Sequence, residues 1–203
     1  GTQLLTLRKI TRKPIFVSIA NNHSLDYGVK GHENTKKFLK KHGFLCNSKQ
    51  KIEKNGIIFI NATDHCGCEN PKLWAEHVWT IDYNNLEPVF QRIQRFKDKF
   101  IVFSIHWGSN YVEGDMPEHI QDLGRKLIDH GVNVIFGHSA HHIVSPPVEK
   151  YNNGIIIYGL GDFINDYAID EKFKSDEAYL CMVHKKGDVL TPELIKVRRS
   201  FIN

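Results

Sequence analysis

Phe100-Ile101-Val102-Phe103-Ser104-Ile105-His106-Trp107-Gly108 is almost wholly apolar as far as Ile105 and then turns polar at once. A strand with one wet face would alternate, and an amphipathic helix would repeat every three to four residues. An unbroken run rich in β-branched and aromatic side chains therefore reads as a strand buried on both faces. The same form recurs at residues 15–20, 56–62, 132–136 and 155–160, and the tail adds strands at 178–184 and 189–197. Helical spacing fills the intervals. Leu4, Leu5, Leu7 and Ile10 open the chain as a helix that Pro14 ends, and Thr35, Phe38, Leu39 and His42 line a helix over 31–42 that Gly43 stops. Leu86, Phe90, Ile93 and Phe96 mark a third helix, and Ile120, Leu123, Leu127 and Ile128 a fourth, closed by Gly131. Buried strands separated by helices predict a layered α/β fold with a sheet covered on both faces.

The chain has 203 residues, 41% hydrophobic and 25% charged, enough for one core and hence a single domain over 1–203. Apolar residues recur throughout, which excludes disorder, and no apolar run approaches the ~18 to 20 residues that span a bilayer. No signal-peptide pattern follows Gly1, and the first residue reads as a cloning scar or a cut. Lys and Arg number 27 against 23 Asp and Glu, a net charge of +4. The surplus gathers at Lys36, Lys37, Lys40, Lys41, Lys49, Lys51 and Lys54, a solvated helix face and loop that can also steer an anionic ligand. No aromatic-interleaved RNA motif or zinc-finger spacing indicates a nucleic-acid partner. Cys46, Cys66, Cys68 and Cys181 form no disulfide framework and no C-x-x-C pair, which favours a reducing cytoplasm. His65 beside Cys66 and Cys68 offers soft-metal donors, but a loop punctuated by Asp, Gly and Pro accounts for that stretch as well.

The loops after the buried strands carry the chemistry. Asn21-Asn22-His23-Ser24-Leu25-Asp26 comes after the first, His106-Trp107-Gly108 after the strand at 100–105, Gly137-His138-Ser139-Ala140-His141-His142 after the next, and Gly161-Asp162-Phe163-Ile164-Asn165-Asp166 after the run at 155–160. A single His at a strand end is usually just hydrogen-bonded. Several on one edge of an α/β sheet, where loops converge, point to a site. Neutral imidazoles with an amide oxygen suit Zn, Mn or Fe, whereas Ca and Mg prefer oxygen cages. Gly137, lacking Cβ, lets the backbone approach a neighbouring loop while His138 turns inward.

In order, Ala20-Asn21-Asn22-His23-Ser24-Leu25-Asp26-Tyr27-Gly28, Ser104-Ile105-His106-Trp107-Gly108, Gly137-His138-Ser139-Ala140-His141 and Tyr158-Gly159-Leu160-Gly161-Asp162-Phe163 resemble the blocks of the bacterial poly-γ-glutamate capsule biosynthesis (CapA-type) family of the calcineurin-like metallophosphatase superfamily. The resemblance spans about residues 5 to 168 and implies a metallophosphatase-like β-sandwich flanked by helices. Carried over by position, Asn22, His106, His138 and His141 resemble metal ligands, and His23 resembles the imidazole that binds phosphate or protonates the leaving group. Asp26 is placed to hold His23 in one tautomer. His142 has no counterpart, and Asp162 and Asn165 read as structural. The implied activity is metal-dependent phosphoester hydrolysis with one or two divalent transition ions (Mn, Zn or Fe), on an anionic substrate or polymer, a phosphoester or polyglutamate.

The chain departs from that family in lacking the upstream strands that carry an Asp ligand and the acid bridging two ions, so the domain reads as N-terminally incomplete. Two dications within ~4 Å and little anionic compensation would repel strongly, which leaves one ion or none. Three explanations compete: a piece of a longer protein, a shortened inactive gene, or a substitute acid among Asp64, Asp162 and Asp166. The alternative function is a non-catalytic polyanion-binding or assembly module that uses the lysines after position 36. A fold whose histidines serve only loop packing is the bland third reading.

Overall fold

Unbroken apolar runs form the centre of a six-stranded sheet in the computed structural model, which describes residues 2–49, 51–164 and 168–199. In chain order the elements are α1 (Thr2–Ile10), β1 (Phe16–Ser18), α2 (Gly28–Lys41), β2 (Leu45–Asn47), β3 (Ile52–Lys54), β4 (Ile57–Thr63), α3 (Pro71–His77), α4 (Glu87–Gln94), β5 (Phe100–His106), α5 (Glu118–Asp129), β6 (Val134–His138), β7 (Val148–Tyr151), β8 (Gly154–Ile157), β9 (Glu177–Lys186) and β10 (Val189–Arg198). The main sheet runs β3-β4-β5-β6-β8-β7. Its four inner strands are parallel, and β3 and β7 close the edges antiparallel.

Strand alternation divides the core. Ile58, Ile60, Ile101, Phe103, Ile105, Ile135 and Ile156 point to one face, where they meet Val89 and Ile93 of α4 and Ile120, Leu123 and Leu127 of α5. The buried positions of α5 recur at intervals of three and one, as a helix lying flat on a sheet requires. On the opposite face Phe59 stacks on Phe16 of β1 with ring centroids 3.9 Å apart. There β1 and β2 make a two-stranded parallel unit packed with α1 and α2 through Leu4, Leu5, Ile19, Leu39 and Phe44. The antiparallel hairpin β9–β10 covers the rest, setting Cys181, Val183 and Leu194 against Val134, Ile155 and Ile157. The result is the expected layered α/β fold, a central mixed sheet with α4 and α5 on one side and two small strand pairs, accompanied by α1 and α2, on the other.

Boundaries shift where local hydrogen bonding wins over apolar character. Residues 15–20 yield only Phe16–Ser18 as strand, because beyond Ile19 the Ser24 hydroxyl donates to the Ile19 carbonyl at 2.7 Å and turns the chain. Residues 155–160 shorten to β8, since Tyr158 donates its N–H to the Pro147 carbonyl at 2.9 Å. Conversely β6 begins two residues late and extends through His138, carried by its pairing with β5. Edge strands β3 and β7, with β2 and α3, escape an apolar-run reading because they are short and half exposed.

Gly137 fits the requirement for close approach. A Cβ there would stand 2.4 Å from Trp107 Nε1 and 2.5 Å from the adjoining ring carbon. The indole cannot retreat, because it is fully buried and its Nε1–H donates to the Tyr158 carbonyl at 2.9 Å. Gly137→Ala is expected to destabilise the fold by about 1–3 kcal/mol through overpacking, read as a lowered urea midpoint with an unchanged m-value.

Candidate metal centre

Parallel pairing of β5 with β6 sets His106 directly opposite His138, each the last residue of its strand. Both side chains therefore leave the sheet on the same face, the one that β1 approaches. Their Nδ1 atoms stand 3.2 Å apart, and His138 Nε2 lies 3.1 Å from the hydroxyl of Ser104, which shares that face. Burial depresses the pKa of His138 to about 4 and, with further opposition from His138, His65, His23 and His141 in that order, that of His106 to about 3. All five imidazoles thus lie in one electrostatic neighbourhood, and the central pair is neutral with lone pairs available at pH 7.

The loop after β1 is a run of turns that needs its polar residues. Asn21 Oδ1 accepts from the His23 N–H at 2.9 Å, and Ser24 Oγ accepts from the Asn21 N–H at 3.0 Å. Leu25 is buried and anchors the loop against Trp74 and Val78. Within it His23 Nδ1 meets Asp26 Oδ2 at 2.8 Å, the pairing the sequence predicts, with both side chains substantially exposed. Asn22 Oδ1 is buried and has no hydrogen-bond partner among the described residues. An orphaned buried carbonyl costs about 1–3 kcal/mol, which an incoming cation would recover.

His141 Nδ1 pairs with Asp162 Oδ2 at 2.7 Å. That assigns Asp162 a positioning role the sequence did not reveal, because its partner lies 21 residues away in the chain. Asp166 and Asn165 lie outside the described residues. His142 serves packing, with Nε2 accepting from the Val112 N–H at 3.0 Å and Nδ1 2.9 Å from the Ile143 carbonyl. Asp64 is almost buried and pairs with His65. Its Oδ2 accepts from Gly108 N–H and from the Tyr83 hydroxyl, both at 2.9 Å, and burial with the Asp64 charge pushes the Tyr83 pKa up. The other carboxylate oxygen, Oδ1, is buried without a hydrogen-bond partner among the described residues and faces His65 only as an ion pair. A groove of about 640 Å³ runs along the same sheet face, lined by Leu7, Phe16, Val102, Phe136 and Val183, and reaches Ser104 and His138.

Among the described residues no three His, Cys, Asp or Glu side chains form a ready group around one point. The chemistry of the donors nevertheless fits a borderline divalent ion. With metal–nitrogen bonds of about 2.0–2.1 Å, two nitrogens on one ion lie about 3.0–3.4 Å apart, and the His106–His138 separation falls in that interval. Asn22, His106 and His138 would hold the ion, with His141 as a fourth candidate donor.

Keeping the pair neutral has a pH signature. The folded pKa values lie below the ordinary 6.5, so below pH 6.5 the unfolded chain binds protons that the fold refuses. Stability is complete above about pH 6.5 and falls as pH drops toward the folded values, by up to about 1.4 kcal/mol per pH unit for each imidazole. Urea unfolding at pH 7, 6 and 5 is expected to show that loss, with a shallower slope in His106→Gln.

The family described as "Bacterial capsule synthesis protein PGA_cap" matches residues 10–167. A probable polyglutamine synthesis accessory protein of Mycobacterium tuberculosis (strain H37Rv) is 27% identical, over 93% of this chain and 56% of its own length. The PGA biosynthesis protein CapA of Bacillus subtilis (strain 168) is 33% identical, over 72% of this chain and 41% of its own. The chain thus spans about half the length of the curated relatives it matches. The crystal structure of a hypothetical protein from Thermus thermophilus superposes with a TM-score of 0.54 at 7% identity, covering 96% of this chain and 81% of that one, a likeness of fold alone. With the family matched over most of its residues, the chain belongs to the bacterial capsule synthesis protein PGA_cap family.

Proposed function

We propose that the chain is a metal-dependent phosphoesterase-like protein of poly-γ-glutamate capsule biosynthesis. The observation that carries this is the buried, neutral His106–His138 pair with its nitrogens 3.2 Å apart. When bound, a Mn, Zn or Fe ion would supply Lewis-acid neutralisation of charge on a phosphoryl oxygen. The chain's own residues do the rest. His106 and His138 present lone pairs from a rigid sheet edge, and Asn22 adds an amide oxygen. Asp162 fixes the ring of His141 by accepting from Nδ1. Asp26 holds the Nδ1 proton of His23, which leaves Nε2 as the atom that carries a proton to a leaving oxygen at the exposed rim.

Chain prepared without chelator is expected to retain a transition ion by elemental analysis and to cleave bis(p-nitrophenyl) phosphate. His106→Ala is expected to lose the ion, and His23→Ala to keep it while turning over about 10²-fold more slowly or worse. No ion bound and no cleavage with added Mn or Zn would refute the proposal.

A second reading, non-catalytic polyanion binding, draws on a different surface. Lys36, Lys40 and Lys49 line one polar depression with Asn47 and Ser48, although Lys36 is partly neutralised by Glu33 at 2.8 Å. It predicts binding of polyglutamate that weakens with salt, survives His106→Ala and is lost on charge reversal at Lys36 and Lys40.

A further inference from the structure

We propose that His65 is a further ligand of the metal centre, held in place and charge-compensated by Asp64. The inference rests on the proposed function, in which His106 and His138 hold a divalent ion.

Register brings the loop after β4 to the site. Thr63 pairs with His106 just as His106 pairs with His138, so Asp64 and His65 leave the sheet immediately beyond that row. The Asp64 N–H donates to the His106 carbonyl at 2.9 Å, continuing the ladder one step past the strand. Two donors on Oδ2, Gly108 N–H and the Tyr83 hydroxyl, fix the carboxylate and turn Oδ1 toward His65 Nδ1. Oδ1 is buried with no hydrogen-bond partner among the described residues and faces Nδ1 as an ion pair, so the carboxylate lends its charge to that side of the ring and leaves Nε2 as the nitrogen open to a cation. The His65 ring stands edge-on to His106 with centroids 6.0 Å apart. The loop also touches the other donor: Gly67 packs so tightly on the Asn22 carbonyl that a Cβ would stand 1.6 Å from that oxygen. One loop therefore braces both the ring of His65 and the backbone of Asn22.

Charge gives the arrangement its purpose. Asn22, His106, His138 and His141 are neutral donors, and a dication among them alone would be uncompensated. Asp64 behind His65 and Asp162 behind His141 bring two negative charges to one imidazole's remove, matching a single dication. One ion per chain follows. His65 is about half exposed, so an ion can reach it and its replacement leaves the core untouched.

The test measures Zn²⁺ and Co²⁺ affinity of the whole 203-residue chain by competition with a chromophoric chelator, and the visible absorption of the cobalt form. One ion per chain is expected. His65→Gln and Asp64→Asn should each bind 10–100-fold more weakly, with an altered cobalt spectrum in His65→Gln, while Cys66→Ser stays within about threefold. Thermal midpoints establish folding, and the surface variant His65→Gln carries the decision if Asp64→Asn unfolds. Wild-type affinity and an unchanged spectrum in His65→Gln, with the ion lost in His106→Gln, overturn this inference alone. An effect of Cys66→Ser equal to that of His65→Gln makes the donor a thiol and overturns it too, as do two ions on the wild-type chain. A wild-type chain that takes up neither metal overturns both this inference and the function on which it rests.

Discussion

Parallel register between β5 and β6 is the constraint from which the site follows. Two strands that differ in length and sequence end level, so two imidazoles separated by more than thirty positions in the chain emerge side by side. A slip of one residue would send His138 to the helical face and replace it with a glycine. Packing on that other face prevents the slip, since Phe103 pairs with Ile135 and Ile105 with Gly137 beneath α5. Hydrophobic matching on one side of the sheet thus sets polar spacing on the other.

A repeated unit surrounds this pair. Asp26 with His23, Asp64 with His65 and Asp162 with His141 each set a carboxylate against an imidazole, in loops that follow strands β1, β4, β6 and β8. The carboxylates stand behind rings rather than at the centre. Negative charge is thereby delivered through polarisable groups while the buried pair itself stays neutral, at a cost to the fold in acid.

Much of this could be read from the chain alone, for identifiable reasons. Runs such as residues 100–105 announce buried strands, and a His following such a run must lie at a sheet edge, so His106 and His138 were legible. The His23–Asp26 pair was legible because it is local, closed within one turn. Asp162 was not, since its bond to His141 depends on the return of β8 beside β6. His65 stood out in the chain only as a donor beside Cys66 and Cys68. Its stretch has the composition of an ordinary loop, and only the register of β4 with β5, together with the Asp64 contacts to Tyr83 and Gly108, reveals where it lies. The edge strands escaped notice because half-exposed three- and four-residue segments carry too little pattern to separate them from turns.

Contact between Trp107 and Gly137 joins the two sides of the sheet more closely than ordinary packing does. The indole rests on bare backbone one residue before His138 and shares the interior with Gly124 of α5. Any shift of that helix would be transmitted through the ring to the peptide preceding the imidazole, with no side chain between to absorb it. Drift in the oily interior would therefore be felt at His138, and sequences that repack α5 would change the spacing of the two imidazoles without altering either histidine.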